Sequence, residues 1–165
     1  MKRLLVVWCS MTGGARQMAQ ALADAARAAA PGEVEVDCLE AGAAGPTEVL
    51  AADAYAFVAP ENLASMAGRM KDFFDRSYYG VLDQVNGRPY VALVCAGSDG
   101  AGAVRQIERI ATGLRLRAVA PALIVCTHAQ TREQILAPKH LPAGQLARCA
   151  ELGAALAAGL AAGVF

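Results

Sequence analysis

Residues Arg3–Gln17 read RLLVVWCSMTGGARQ and carry the strongest structural signal in the chain. Their first part, Arg3–Trp8, is almost entirely apolar, which is typical of a buried β-strand. A turn containing Gly13 and Gly14 follows, and the sequence then runs directly into a helical pattern. The stretch therefore predicts a strand, a tight turn and a helix in immediate succession, which is a unit of an α/β domain.

Four more apolar runs follow and alternate with helical segments. We predict strands at Arg3–Trp8, Val34–Leu39, Ala54–Ala59, Tyr90–Ala96 and Ala118–Cys126. The inner runs do not alternate between apolar and polar residues, as expected for parallel strands that helices cover on both faces. Strands and helices joined by short connections form right-handed βαβ units. We therefore predict one domain over residues 1–165, with a doubly wound, three-layer α/β/α architecture.

Apolar residues at helical spacing predict the buried faces of three helices. These stripes are Met66, Met70, Phe73 and Phe74; then Val104, Ile107, Ala111 and Leu114; and finally Cys149, Leu152, Leu156 and Leu160.

The composition describes a globular chain whose charges cancel. Hydrophobic residues make up 56% of the sequence, and 15 basic residues balance 15 acidic ones. A chain without excess positive charge has no electrostatic reason to bind nucleic acid or an anionic membrane, so we expect neither as a partner.

The five cysteines are far apart and form no C-x-x-C pair, which argues against a zinc site or a disulfide framework. Most of them lie in or beside apolar runs, where a thiol behaves as a small buried hydrophobe. The apolar run after Met1–Arg3 is shorter than the roughly 7–15 residues of a signal-peptide core. We therefore predict no metal site, a reducing environment and a cytoplasmic location.

The turn after the first strand has the composition of an anion site. Gly13 and Gly14 allow successive N–H groups to converge on one ligand, and the hydroxyls of Ser10 and Thr12 add donors. The N-terminus of the following helix favours negative charge. Neither a Walker lysine nor a G-x-G-x-x-G pattern is present here, so the turn predicts a monophosphate held by neutral donors. An ordinary N-cap and turn is the alternative.

Two further loops follow the third and fourth predicted strands, and ligands of open α/β sheets bind at the carboxyl ends of strands. In the loop Pro60–Met66, Pro60 stiffens the backbone and Asn62 offers hydrogen bonds and tolerates a left-handed conformation. In the loop Gly97–Gly102, three glycines allow a close approach of the backbone to a ligand. The alternative for the first of these loops is an ordinary connection in which Ser65 caps the next helix.

Together, these loops resemble those of flavodoxins and of flavodoxin-like NAD(P)H-dependent FMN or quinone reductases. Ser10–Gly14 is similar to the S/T-x-T-G-x-T phosphate loop, although Ala15 stands where the family usually has Thr or Asn. Pro60–Met66 and the F-x-D-R at Phe73–Arg76 are similar to the flavin-lining loop and its helix, and Gly97–Gly102 to the second flavin loop. The resemblance extends over nearly the whole chain and implies a flavodoxin-like, five-stranded parallel sheet in the order 2-1-3-4-5.

The resemblance implies one bound FMN and a set of residues that hold it. The residues that would bind the phosphate are Ser10, Met11, Thr12, Gly13, Gly14, Ala15 and Arg16. The residues that would line one side of the flavin ring are Pro60, Glu61, Asn62 and Leu63. The residues that would meet its pyrimidine edge are Gly97, Ser98, Asp99 and Gly100. No catalytic residue is implied, because the flavin itself carries the redox chemistry.

Three departures favour a reductase over a flavodoxin-type electron carrier. Residues 60–66 and 97–102 contain no aromatic ring, the net charge is zero, and Ala64 stands where related chains often have glycine near the flavin N5. We therefore expect a flavoprotein oxidoreductase with one open flavin face. NADH or NADPH would be the electron donor, and a quinone, a flavin or a redox protein the acceptor. A homodimer is a further arrangement that the resemblance implies.

Other classes stay open beside this interpretation. One is a flavodoxin-type carrier without its own turnover, and another is a partner-binding module with a vestigial flavin site. A low-molecular-weight thiol phosphatase or arsenate reductase would use Cys9 as nucleophile. Its C-x5-R spacing is not met, since Cys9 and Arg16 give C-x6-R. A receiver domain is disfavoured because no acidic pair follows the first strand.

Overall fold

The central sheet is built from apolar strands that are buried on both faces. The structure is a computed structural model that describes residues 1–165. Its strands are β1 (Lys2–Trp8), β2 (Val34–Glu40), β3 (Ala54–Asn62), β4 (Ser65–Met66), β5 (Pro89–Ala96), β6 (Arg117–Ala118) and β7 (Leu123–Cys126). Every residue of β5 is buried, as expected for an inner strand of a parallel sheet.

Helices cover the sheet on both sides and complete the predicted three layers. They are α1 (Gly14–Ala29), α2 (Pro46–Ala51), α3 (Gly68–Val81), α4 (Ala101–Gly113), α5 (Arg132–Leu136) and α6 (Ala143–Ala161). One apolar core lies between the sheet and α1 and α6, and the other lies between the sheet and α2, α3 and α4. The predicted α/β/α architecture is confirmed.

The parallel strands lie in the order β2-β1-β3-β5-β6, and β7 also pairs with β5. This is the predicted order 2-1-3-4-5 when β6 and β7 are counted as one strand position. The predicted fifth strand, Ala118–Cys126, is nevertheless wrong as a continuous element. It is interrupted at residues 119–122, where Pro121 has no N–H to donate to a neighbouring strand.

The region after β3 also differs from the prediction, because it forms a short hairpin rather than an open loop. Glu61 pairs with Met66 and Asn62 with Ser65 in antiparallel register. Helix α3 begins only at Gly68, so Ser65 does not cap it. Met66 therefore belongs to β4, although its side chain is only 5% exposed and still packs in the core.

The three predicted apolar stripes face the sheet. Phe57 of β3 lies at the centre of the larger core, with ring centroids 4.9 Å from Phe74 and 6.0 Å from Tyr90. In the other two helices, Ile107, Ala111, Cys149, Leu156 and Leu160 are buried. Val104 and Leu152 are half-buried at the edges of their stripes.

Helices α1 and α6 approach each other closely at Gly153. A Cβ atom on Gly153 would lie 2.2 Å from the carbonyl oxygen of Leu22 and 2.8 Å from its carbonyl carbon. Because both of these atoms belong to the backbone, a larger residue would force the two helices apart.

All five cysteines are unpaired, and three of them are buried in the two cores. Burial raises the pKa of Cys9, of Cys95 and of Cys149 to about 11, because a thiolate is poorly solvated there.

No helix of the structure is both long and apolar enough to cross a membrane.

We expect Gly153→Ala to destabilise the fold by roughly 1–3 kcal/mol, because the added methyl group overlaps the Leu22 backbone. Gly144→Ala in the same helix is the matched control, since a Cβ there meets no atom within 4 Å. Alanine is the better helix former by about 0.5–1 kcal/mol, so the control should be neutral or slightly stabilising. Urea unfolding measures both variants, and equal stabilities would contradict the close packing of α1 on α6.

We expect the buried thiols to be protected from alkylation by iodoacetamide in the folded chain at pH 8. A pKa of about 11 leaves about one thiol in a thousand ionised at this pH, and only the thiolate reacts. Mass spectrometry in buffer and in urea would follow each site, with the half-buried Cys126 as internal reference. Rapid native labelling of Cys9 would contradict the burial. Since the pKa of the folded Cys9 thiol exceeds the ordinary thiol value of 9.0, the free energy of unfolding should fall as the pH rises from 9 towards 11.

Candidate functional site

The carboxyl ends of the central strands meet at one edge of the sheet, and the segments that follow them enclose a cavity of about 420 Å³. Its walls are formed by Thr12, Pro60, Glu61, Asn62, Leu63, Cys95, Ala96, Gly97, Thr127, Ala129, Ile135 and Lys139. The structure therefore brings the three predicted loops together around one space. None of the wall residues is aromatic.

The first loop is shaped by Gly13 and Ser10. Gly13 has φ 96°, a left-handed conformation that residues with a side chain rarely adopt, and α1 begins directly after it. The hydroxyl oxygen of Ser10 accepts a hydrogen bond from the Gly13 N–H at 3.0 Å. The Ser10 side chain thus fixes the turn from within, instead of only providing a donor for a ligand.

Most backbone donors of this loop have no partner in the protein. Helix α1 has no side-chain N-cap and no acidic residue in its first turn. A helix start with this many free donors, half-enclosed by other segments, is suited to an anion. The N–H groups without a protein acceptor are those of Ser10, Met11, Thr12, Gly14, Ala15 and Arg16.

Two side chains of the predicted phosphate group do not face the cavity. The guanidinium carbon of Arg16 lies 6.0 Å from the ring centroid of Trp8, and Arg16 is not among the residues of the cavity wall. Met11 is 69% exposed and points into solvent. Ala15 is buried in the core, and only its N–H is available to a ligand.

The second loop is a hairpin that two polar side chains fasten to α4. The Glu61 carboxylate accepts hydrogen bonds from the N–H groups of Gly100 at 2.9 Å and Ala103 at 3.0 Å. On the other strand, the side-chain oxygen of Gln106 accepts from the Met66 N–H at 2.7 Å. Glu61 therefore lines the cavity, but its carboxylate caps α4. The Gly100 N–H, which was predicted to bind the pyrimidine edge of the flavin, donates its hydrogen bond to Glu61 instead.

The tip of this hairpin is held in a strained conformation. Leu63 has φ 54° and Ala64 has φ 61°, whereas the sequence suggested Asn62 for a left-handed backbone. Such values cost about 1–3 kcal/mol for residues other than glycine. A Cβ on Gly102 would lie 2.1 Å from the Ala64 carbonyl oxygen, so the tip rests directly on the first turn of α4.

The third loop offers backbone donors rather than side chains. Gly97 lies in the cavity wall, whereas Ser98 and Asp99 are exposed and lie outside it. The Asp99 carboxylate accepts a hydrogen bond from the Ala101 N–H at 3.3 Å. The N–H groups of Gly97, Ser98 and Asp99 donate to no protein atom, so this loop retains three amides for a ligand.

A fourth wall, which sequence reasoning missed, comes from the segment between β7 and α6. It contributes Thr127, Ala129, Ile135 and Lys139 and contains the short helix α5. One signal for α5 was visible in the sequence: Thr131 and Gln134 form a capping box, with the Thr131 hydroxyl accepting from the Gln134 N–H at 3.2 Å.

Gln17 joins this fourth wall to the first loop. Its side-chain amide donates to the carbonyl oxygens of Gly13 at 2.9 Å and Lys139 at 2.6 Å. Its side-chain oxygen accepts from the Leu141 N–H at 3.1 Å. The Lys139 N–H also donates to the Thr12 carbonyl oxygen at 2.8 Å. The two segments therefore form one connected wall.

The geometry rules out the thiol phosphatase alternative. A nucleophilic cysteine needs a lowered pKa and an arginine over the anion cradle. Cys9 is 1% exposed, and burial raises its pKa to about 11. Its side chain lies in the core formed with α2, α3 and α4, on the face of the sheet opposite α1. The Arg16 side chain lies over Trp8, so no Cys–Arg cradle is formed.

Comparisons with known proteins agree with this geometry. Residues 43–130 match the family model described as NADPH-dependent FMN reductase. A flavodoxin from Aquifex aeolicus (strain VF5) is 29% identical over 102 residues, which cover 62% of this chain. The match spans about half of that relative, 54% of its length.

Solved structures show the same fold at low sequence identity. A flavodoxin from the domain Archaea superposes with a TM-score of 0.78 at 19% identity, covering 96% of this chain and 98% of that one. A flavodoxin described as a WrbA-like protein from Agrobacterium tumefaciens gives a TM-score of 0.73 at 18% identity and 99% coverage of both chains. The flavodiiron protein from Giardia intestinalis gives 0.77 at 21% identity, with 99% of this chain but 37% of that one covered.

The family match includes the hairpin after β3 and the loop after β5, while the fold likeness covers 96% of the chain. Because the matched residues 43–130 are more than half of the chain, the protein belongs to the flavodoxin-like NADPH-dependent FMN reductase family.

Proposed function

We propose that this FMN-binding, flavodoxin-like redox protein is an enzyme that accepts hydride from NADPH or NADH and passes the reducing equivalents to a small acceptor such as a quinone or a free flavin. The observation that carries the proposal is one cavity whose wall includes Thr12 of the first loop and Gly97 of the third, two loops with free backbone amides, and no aromatic ring. The amides suit a flavin mononucleotide, and the missing rings leave space above it for a second molecule.

The residues present fit FMN in their chemistry. The free amides of the first loop and the N-terminus of α1 would hold the phosphate. Pro60 and Leu63 give an apolar wall for the ring, and the amides of Gly97–Asp99 can donate to oxygen and nitrogen acceptors at its polar edge. When bound, FMN would supply the hydride chemistry, while the protein supplies position and electrostatics.

The residues at the cavity mouth favour an enzyme that turns over a second substrate over a flavodoxin-type electron carrier. Leu63 is fully exposed on the hairpin and Ile135 is half-exposed on α5, and both belong to the wall. With no aromatic side chain to cover the ring, its face would stay accessible to a nicotinamide or an acceptor. A net charge of zero also gives no overall negative charge that would attract a basic redox partner.

A cytoplasmic location belongs to the same proposal, and the five unpaired thiols support it. The homodimer, a redox protein as alternative partner, and the absence of nucleic acid and membrane partners stay predictions.

We expect the chain to bind FMN and Thr12→Val to weaken the affinity about 10- to 100-fold, because a hydroxyl of the cavity wall is lost. Gly13→Val should be more severe, since valine does not adopt φ 96°. Thr112→Val is the control, because Thr112 lies exposed near the end of α4. Fluorescence titration with FMN gives the dissociation constants. Unchanged binding in both loop variants would contradict the phosphate assignment.

We expect anaerobic addition of NADPH or NADH to bleach the flavin absorbance of the FMN-loaded protein, and a quinone or free FMN to restore it. Both nucleotides are tested because the sequence contains no motif that distinguishes NADPH from NADH. Flavin that is retained but reduced by neither nucleotide would contradict the enzyme proposal in favour of a carrier. A chain that binds no FMN at all would indicate a partner-binding module with a vestigial site.

A further inference from the structure

A positive charge without a carboxylate partner lies in the cavity wall. The ammonium of Lys139 takes part in none of the ion pairs of the structure. Instead, its Nζ donates to the carbonyl oxygens of Gln134 at 2.8 Å, Ile135 at 2.9 Å and Ala137 at 2.6 Å. These three neutral acceptors hold the ammonium in place, but they do not cancel its charge.

The same residue is placed directly against the first loop. The Lys139 N–H donates to the Thr12 carbonyl oxygen, and Gln17 binds the Lys139 carbonyl oxygen. A Cβ on Gly14 would lie 3.7 Å from the Cβ of Lys139. Lys139 is therefore fixed beside the first residue of α1, where the backbone donors are unpaired.

The charge of Lys139 acts on this part of the cavity. Burial raises the pKa of the Cys95 thiol, and the positive charge of Lys139 opposes this rise. Cys95 lies under the first loop, since a Cβ on Gly14 would be 2.5 Å from its Sγ. The Arg16 guanidinium lies over Trp8, so the cation on the cavity side of the loop is Lys139.

We propose that Lys139 is the fixed cation of the phosphate subsite and that it makes the site prefer a phosphate monoester over the uncharged alcohol, that is, FMN over riboflavin. The inference rests on the proposed FMN binding and extends it. All three Nζ protons are engaged by carbonyl oxygens, so the ammonium acts on the phosphate through its field. A phosphate monoester carries about −1.5 to −2 charges at pH 7, whereas riboflavin carries none at that end.

The test compares FMN with riboflavin by fluorescence titration in wild type, Lys139→Gln, Lys139→Arg and Arg132→Gln, at low salt and in about 0.5 M NaCl. We expect Lys139→Gln to lose about tenfold in FMN affinity at low salt and to bind riboflavin as wild type does. Lys139→Arg should retain the preference. The loss should shrink at high salt because ions screen the charge. Arg132→Gln removes an exposed cation of α5 outside the wall and should change neither affinity.

An equal loss for both flavins in Lys139→Gln would show that Lys139 only braces α5, and would overturn the inference. So would an unchanged FMN affinity. If Lys139→Gln does not fold, the same titrations on the wild type and Lys139→Arg test the inference. The inference is overturned if their FMN affinity does not depend on salt, or if they do not bind FMN more tightly than riboflavin. Those results leave the proposed function standing, whereas a wild type that binds neither flavin removes both.

Discussion

The site is organised around the unpaired N–H donors at the start of α1. A helix leaves its first four N–H groups without an internal partner, and an enclosed donor without an acceptor is costly. In this chain no capping side chain and no acidic residue fills that role. Strand β1, paired on both sides with β2 and β3, fixes where these donors lie. The sheet thus places these unpaired donors at its own carboxyl edge, and the other walls of the cavity lie around them.

Three polar side chains then hold those walls together without any ligand. Gln17 connects the first loop with the segment before α6, while Glu61 and Gln106 fasten the hairpin to α4. Each of these bonds joins a side chain to the backbone, so each fixes the course of a loop directly. Loops that the protein's own hydrogen bonds fix in this way lose less conformational freedom when they bind a ligand. This arrangement is accompanied by backbone strain at the hairpin tip, where Leu63 and Ala64 adopt left-handed conformations.

Local patterns were sufficient to locate most of the strands and the three loops that meet at the cavity, because apolar runs and glycine-rich turns act over short stretches. The strand order came from the family resemblance and was confirmed. Local patterns failed where distant residues meet. Glu61 and Gly100 are separated by 39 positions, and Gln17 and Lys139 by 122, so no local spacing reveals these bonds. The interruption of the last strand is different, since Pro121 was visible in the sequence and its missing donor explains the break. Helix α5 was missed because none of its residues is buried and it therefore lacks an apolar stripe.

The strained hairpin tip also bears on what the cavity can do. Leu63 gains nothing from packing, since its side chain is fully exposed, so its conformation is set by the attachment of the hairpin to α4. Gly102 allows that attachment, because any side chain there would displace the Ala64 carbonyl. The result is a wall that is firmly placed yet carries no ring to lie over a flavin. In the function that we propose, a flavin in such a cavity would be held mainly at its phosphate and its polar edge. The ring face left open in that arrangement is our physical reason for proposing turnover with a second substrate rather than shielded electron transfer.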